Sequence, residues 1–125
     1  MSERVVNLFR EQRFTGWATY PVDVYSTATS LTPDYYGLAI TGRCHEADWS
    51  ESQRVLKEYP AGYFPVWRGL HISGWDGSDL FMSNNGGEGH KFVTDRVRVA
   101  LEQANISNVE IQSTSDLETD TDPAR

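Results

Sequence analysis

The chain has 125 residues, a net charge of −7 and a single cysteine. Its length indicates one domain, and its 38% hydrophobic and 12% aromatic content can form a core without disulfides or metal. This composition excludes a collagen, a disulfide-rich scaffold and a long coiled coil, and it is not typical of a wholly disordered chain.

The distribution of charge bears on the partners of the protein. The tail 116–125 carries four acids and one base, so −4 of the net charge lies on the body. An acidic body disfavours nucleic acid and anionic membranes, because both require clustered Lys and Arg. It is compatible with a basic protein partner, although mild acidity more often serves solubility alone. We therefore expect no nucleic-acid and no membrane partner, and the oligomeric state stays open.

The absence of targeting signals favours the cytoplasm. No apolar run approaches the roughly 20 residues needed to span a bilayer, and residues 1–13 lack the apolar stretch of a signal peptide. Cys44 is alone, which excludes an internal disulfide and a Cys-rich zinc module. We expect a soluble cytoplasmic protein.

The first half of the chain reads as alternating short elements. Ser2 is a candidate N-cap for a short helix over 2–13, with Val5, Val6, Leu8 and Phe9 as its apolar stripe. The composition of 17–29 predicts a strand, with an edge or a break at Pro21. A turn over 31–34 around Pro33, a buried strand over 35–41 and a loop over 42–48 follow. The next predicted element is a short helix over 50–58, which has Val55 and Leu56 inward and ends at 59–62.

The second half contains the clearest helix. Thr94 is the predicted N-cap of a helix over 95–104, in which Val97, Leu101 and Ala104 recur at helical spacing and which Asn105 ends. The other predicted elements are a strand within 63–73, a turn over 74–78, a strand over 79–82, a glycine-rich loop over 83–89, and strands over 90–93 and 108–112.

These elements predict a single α+β domain over residues 1–113. It would contain a mixed β-sheet, one main helix over about 95–104 and one or two short helices. The strands on either side of the main helix would form a right-handed crossover. The polar, acidic segment 114–125 is expected to be a disordered tail.

No sequence pattern identifies a catalytic, cofactor or metal site. His45, His71 and His90 are spread along the chain, without the spacing of zinc ligands. The segment 74–78 has its Ser in the wrong place for a nucleophile elbow, and the glycines of 86–89 do not precede the Lys-Ser/Thr of a phosphate loop. We expect no cofactor and no metal, and Cys44 is read as a small buried hydrophobe.

Two acidic loops are the candidate binding surface. Glu46 and Asp48 lie in one loop, and Asp76 and Asp79 lie in the other, with Trp75 as a possible anchor between them. Exposed Trp is enriched at interface hot spots, although a Trp beneath its own turn is equally a core residue. Asp and Gly are also the usual residues of a turn, so Asp76 could simply cap its own backbone.

A series of short motifs carries a family resemblance. In order they are YGLAITGRC at 36–44, Trp49, GLHI at 69–72, WDGSDLF at 75–81, FVTDRV at 92–97, Ala100-Leu101 and ISNVEI at 106–111. This order resembles the C-terminal region of small bacterial immunity proteins of polymorphic toxin systems, of the myxobacterial type. Members often carry a longer N-terminal part with Cys pairs, which this sequence lacks, and the loop 83–89 is longer and richer in glycine.

The resemblance implies a non-enzymatic immunity protein that binds one cognate toxin tightly and blocks it. It does not identify the contact residues or the toxin. If the toxin is a basic nuclease, the acidic loops would assist binding. Two alternatives stay open, a small enzyme using Cys44 with a His and an Asp, and a general protein-interaction domain.

Overall fold

A computed structural model describes residues 1–25, 27, 31, 32, 34–84 and 89–124 of the chain. The helices and strands, in chain order, are α1 (Glu3–Glu11), β1 (Trp17–Pro21), β2 (Val24–Tyr25), β3 (Leu31–Thr32), β4 (Tyr36–Ile40), β5 (Gly42–Cys44), β6 (Glu46–Asp48), β7 (Gln53–Tyr59), β8 (Gly62–Arg68), β9 (His71–Ser73), β10 (Leu80–Ser83), β11 (Phe92–Val93), α2 (Asp95–Gln103) and β12 (Glu118–Thr119).

Both helices form where their local signals predict them. Ser2 caps α1, its hydroxyl accepting a hydrogen bond from the N–H of Val5, and the helix buries Val6 and Phe9. In α2 the residues Val97, Ala100 and Leu101 are buried, and Asn105 follows the helix with a left-handed φ of 56°. The helix predicted over about 95–104 is α2, and the one short helix beside it, α1, has the same length of nine residues.

The strands confirm the α+β class but form several small sheets instead of one. Two-stranded antiparallel sheets pair β1 with β4, β2 with β3 and β6 with β9. A three-stranded sheet has the order β12-β8-β7, and another has the order β11-β10-β5. The last is mixed, because β10 runs parallel to β5 and antiparallel to β11. As expected, β1 ends at Pro21.

The central third of the chain departs from its sequence reading. The helix predicted over 50–58 is wrong, because Gln53–Tyr59 pairs residue by residue with Gly62–Arg68 in an antiparallel hairpin. Leu56, predicted inward, is 58% exposed. The loop predicted over 42–48 is also wrong, since it contains β5 and β6. In both places the segment is a strand because it hydrogen-bonds to strands further along the chain, β8 for β7, β10 for β5 and β9 for β6.

Other boundaries shift for similar reasons. Leu31 and Thr32 form a strand instead of a turn, and Pro33 lies outside the described residues. Ser83 belongs to β10, while 85–88 of the predicted glycine-rich loop lie outside the described residues. Residues 108–112 are not a strand, so the expected strand-helix-strand crossover is not formed.

The expected disordered tail is docked on the sheet through residue 119. Glu118 and Thr119 pair with Arg68 and Trp67 of β8. The backbone N–H groups of Gly69 and Leu70 donate to the carbonyls of Leu117 and Thr114. Leu117, the apolar residue of this segment, packs against buried side chains of the body.

The buried side chains form two clusters on opposite sides of β10. Leu80 belongs to a cluster with residues of both helices, whereas the next residue, Phe81, belongs to a second cluster. Successive side chains of a strand point to opposite faces, so β10 separates the two clusters. The buried members of the first are Phe9, Phe14, Leu80, Val97, Ala100 and Leu101, and those of the second are Cys44, Ala47, Leu70, Phe81 and Phe92.

Candidate binding surface

The two acidic segments predicted from the sequence adjoin in the structure, although the first of them is the strand β6 instead of a loop. β6 pairs with β9, which places Glu46 opposite Ser73 and Asp48 opposite His71. Two residues beyond Ser73 the chain reaches Trp75 and Asp76. Asp76 is tied back to Arg43, whose backbone N–H donates to its Oδ2 at 2.8 Å. We call the set Glu46, Asp48, Trp75 and Asp76 the acidic corner.

Both aspartates of the acidic corner also organise their own turns. Asp76 Oδ1 accepts hydrogen bonds from the backbone N–H and the hydroxyl of Ser78, and Asp48 Oδ1 accepts from the same two groups of Ser50. These hydrogen bonds lower the pKa of each aspartate, and the bond from the Ser hydroxyl makes the largest contribution. The turn-capping interpretation of Asp76 is therefore correct, and its carboxylate still lies at the surface.

Trp75 is half exposed and held in place from its inner side. Its indole N–H donates to the carbonyl of Ser78 at 2.9 Å, and its ring centroid lies 5.8 Å from that of Phe81. The side chain remains 51% exposed. A positioned aromatic ring of this kind loses little conformational freedom when a partner covers it.

Asp79, the fifth sequence candidate, does not belong to the surface. It is 9% exposed, and its carboxylate accepts hydrogen bonds from Thr15, Thr94 and Arg96. Burial acts to raise the pKa of Asp79, but the hydrogen bonds from Arg96, Thr15 and Thr94 outweigh it and hold that pKa below its ordinary value. Its carboxylate links three segments of the body and has no free face to offer a partner.

Basic groups border the acidic corner. The guanidinium of Arg43 donates to the backbone carbonyls of Ile40 and Gly42, at 2.7 and 2.8 Å. His71 Nδ1 lies 3.2 Å from a carboxylate oxygen of Glu51.

At Gly74, with a φ of +64°, a Cβ atom would overlap the ring of His45, so glycine permits the close approach of the two segments.

Cys44 lies beneath the acidic corner and is fully buried. Its Sγ lies 3.7 Å from the carbonyl oxygen of Glu46, and burial raises the pKa of the thiol. A protonated, buried thiol is a poor nucleophile. Within the described ranges, no three His, Cys, Asp or Glu side chains come close enough together to hold a metal ion.

A cavity of about 810 Å³ is bordered by α1, β11 and the segment 105–112. Apolar side chains such as Phe9, Leu38 and Ile106 line much of it. His90 lines this cavity, whereas Cys44, His45 and His71 do not. The nucleophile of the alternative enzyme hypothesis, Cys44, therefore does not open onto the cavity that His90 lines.

The sequence reading missed the exposed apolar side chains of the β7–β8 hairpin. Leu56, Tyr59, Tyr63 and Phe64 are between 41% and 66% exposed. The signal that could have found them is the two-residue turn Pro60-Ala61 followed by Gly62–Arg68, a segment rich in aromatic residues.

Comparisons with known proteins give no assignment. No family model matches the chain, and neither a curated protein nor a solved structure shows a significant match. Neither helix in the described part of the chain is long and apolar enough to cross a membrane.

Proposed function

We propose that this chain is an immunity-type binding protein, without enzymatic activity, that neutralises a cognate bacterial toxin in the cytoplasm by tight non-covalent binding. The observation that supports it most directly is the acidic corner. Pairing of β6 with β9 joins two acidic loops that are 25 residues or more apart in the sequence, with the half-exposed Trp75 beside them. Aromatic anchors surrounded by charge are typical of protein interfaces.

The charge of the corner indicates the kind of toxin that fits it. Glu46 is exposed, and the lowered pKa values of Asp48 and Asp76 keep their carboxylates ionised at neutral pH and into mild acid. A basic toxin, such as a nuclease with a cationic cleft, would be attracted to this corner and to the net charge of −7. Occlusion of that cleft would block the toxin sterically.

The alternative of a small enzyme has less support. Its nucleophile would be Cys44, which is buried and has a raised thiol pKa. A general interaction domain shares the binding surface and differs only in its partner.

The experiment expresses the polypeptide encoded directly upstream of this chain in a bacterial host, alone and together with the chain, and counts surviving colonies. We expect the upstream polypeptide alone to arrest growth and co-expression of this chain to rescue it. Trp75→Ala and Glu46→Lys should weaken the rescue. Glu11→Lys, an exposed charge reversal on α1, is the matched control and should rescue fully.

Binding kinetics test the electrostatic part. Glu46→Lys should slow association with a basic partner, and the effect should be larger at low salt, where charges act over roughly 30 Å instead of 8 Å. Rescue that fails in a folded Cys44→Ser variant but survives Glu46→Lys and Trp75→Ala would reject the proposal in favour of the enzyme.

A further inference from the structure

The β7–β8 hairpin carries an exposed surface that the rest of the body does not cover. Both strands have seven residues, and β12 pairs only with Arg68 and Trp67 at the base. Beyond that base, Leu56 is 58% exposed and Tyr63 is 66% exposed. Adjacent exposed apolar side chains of this size mark an interaction surface more often than chance exposure does.

One edge of β7 is free along its whole length. The sheet order is β12-β8-β7, and within the described ranges no other strand pairs with the outer edge of β7. The strand contains no proline and no bulge, since each residue from Gln53 to Tyr59 has one partner in β8. Its charged residues Arg54, Lys57 and Glu58 oppose pairing where like charges meet, so a further strand can add to this edge only in a register that places opposite charges together.

The hairpin turn determines which backbone groups face outward. Tyr59 and Gly62 flank the two-residue turn Pro60-Ala61, and such a turn is closed by hydrogen bonds between its flanking residues. Hydrogen-bonded and non-hydrogen-bonded pairs alternate along an antiparallel ladder. Tyr59, Lys57 and Val55 therefore direct their N–H and C=O groups to β8. The outward groups belong to Arg54, Leu56 and Glu58.

The outward residues are complementary to themselves. When two copies of β7 run antiparallel about a two-fold axis at Leu56, Leu56 lies opposite Leu56 and Arg54 lies opposite Glu58, twice. The outward N–H and C=O groups of Arg54, Leu56 and Glu58 then each have a hydrogen-bonding partner in the other copy. Opposite charges across an antiparallel pair are stabilising.

Neighbouring registers lose this match. An axis at Val55 removes both Arg-Glu pairs, an axis at Lys57 places Lys57 opposite Lys57, and axes at Arg54 or Glu58 oppose like charges. Like charges directly opposite one another are destabilising. The pattern thus favours one symmetric register over its alternatives.

The side chains on the same face extend the match across the sheet. Leu56 lies opposite Pro65, Glu58 opposite Tyr63 and Arg54 opposite Trp67 within each hairpin. Joining the two β7 edges produces the strand order β8-β7-β7-β8, with Pro65, Leu56, Leu56 and Pro65 across its centre. On the other face, Lys57 keeps its 3.1 Å ion pair with Glu118.

We propose that two copies of this chain form a symmetric dimer by antiparallel pairing of their β7 edges about Leu56. This dimer is independent of the acidic corner and does not rest on the proposed function. The interface is isologous, so the Arg54–Glu58 contact occurs twice and Leu56 meets its own symmetry mate on the axis.

The first test measures the mass of the full chain by sedimentation in 0.15 M salt over a range of concentrations. The expected mass is twice 14.1 kDa. Arg54→Glu places Glu opposite Glu58, and Glu58→Arg places Arg opposite Arg54. Each single variant should raise the dimer dissociation constant at least about tenfold. Arg10→Glu, a charge reversal in α1, is the control and should leave the mass unchanged.

Mixing the two single variants tests the pairing itself. In a mixed dimer, Glu at 54 faces Arg at 58 and Glu58 faces Arg54, so equimolar mixing should restore association. The double variant Arg54→Glu with Glu58→Arg should also dimerise. Thermal unfolding curves establish that each single variant is folded, which keeps loss of the dimer distinct from loss of the fold.

Cross-linking tests the register. Hydrogen-bonded antiparallel partners have Cα atoms about 5.5 Å apart, within the range of a disulfide. Leu56→Cys should therefore form a disulfide dimer on mild oxidation. Glu58→Cys should not, because its symmetry mate would lie about 13 Å away along the strand. A wild-type chain that remains monomeric, single variants that dimerise normally, or equal cross-linking at both positions would overturn the proposal and leave the edge to a strand of another protein.

Discussion

Asp79 and Thr15, 64 residues apart in the sequence, hydrogen-bond one another in both directions. The backbone N–H of Thr15 donates to Asp79 Oδ2 at 2.9 Å, and the backbone N–H of Asp79 donates to Thr15 Oγ1 at 3.2 Å. The same carboxylate accepts from Thr94 at the start of α2 and forms a 3.2 Å ion pair with Arg96. One side chain thus joins the segment after α1, the segment before β10 and the beginning of α2.

Asp79→Asn should destabilise the protein more than a substitution at an exposed acid. Asparagine carries no negative charge to accept the hydrogen bonds from Thr15, Thr94 and Arg96. Hydrogen bonds to charged groups contribute about 1.5–3 kcal/mol each. We expect the free energy of unfolding in urea to fall by about 2 kcal/mol. Glu110→Gln, at an exposed position, should change it by less than about 0.5 kcal/mol. Equal stability of the two variants would contradict the structural role of Asp79.

The same carboxylate should make stability sensitive to acid. The pKa of Asp79 is lowered in the folded state, so its contribution is present above the unfolded pKa of about 3.9 and is lost as the pH falls through the folded pKa. The stability difference between wild type and Asp79→Asn should therefore be constant from pH 7 to 5 and shrink below about pH 4. Urea unfolding at several pH values measures it, and a difference that grows in acid would reverse the sign of the argument.

Leu101 and Arg98 test the two sides of α2. Leu101 is 5% exposed in the cluster with Phe9 and Val97, so Leu101→Ala should cost about 2–5 kcal/mol by leaving a cavity. Arg98 forms exposed ion pairs with Asp95 and Glu102, so Arg98→Ala should cost less than about 1 kcal/mol. Thermal unfolding compares them, and similar losses would show that the helix face is misassigned.

Deleting residues 114–125 should destabilise the protein. The deletion removes Leu117 from the second core cluster and the backbone hydrogen bonds to Gly69 and Leu70. We expect a loss of about 1–3 kcal/mol, since the deletion removes a partly buried leucine together with two backbone hydrogen bonds of the body. Deleting only 120–125 keeps Leu117 and β12 and should change stability by less than about 0.5 kcal/mol. A full deletion as stable as wild type would mean that the docked segment contributes nothing.

Two glycines of ordinary backbone conformation should differ in their tolerance of alanine. A Cβ at Gly42 would overlap the backbone carbonyl oxygen of Leu80, which cannot move without disturbing β10. A Cβ at Gly37 would overlap only the ring of Tyr20, which is 52% exposed and can rotate away. Gly42→Ala should therefore cost about 3 kcal/mol and Gly37→Ala less than about 1 kcal/mol in urea unfolding. A larger loss of stability for Gly37→Ala than for Gly42→Ala would contradict the overlap predicted between a Cβ at position 42 and the carbonyl of Leu80.

The candidate binding surface was partly readable from the sequence. Glu46, Asp48, Trp75 and Asp76 were selected because they are acidic or aromatic residues in segments with turn chemistry. That these segments adjoin depends on the pairing of β6 with β9, which nothing in the local sequence specifies. The burial of Asp79 likewise depends on Thr15 and Arg96, which lie in distant segments.

The two helices, the break at Pro21 and the α+β class could be predicted from the sequence. A helix closes its hydrogen bonds within four residues, so Ser2, the stripe of α2 and Asn105 carry enough information locally. That Gln53–Tyr59 is a strand and that Leu117 packs against the second cluster follows from the tertiary structure alone. A strand takes its hydrogen bonds from a partner elsewhere in the chain, and a single leucine in a polar segment is partly covered only where other segments leave a place for it.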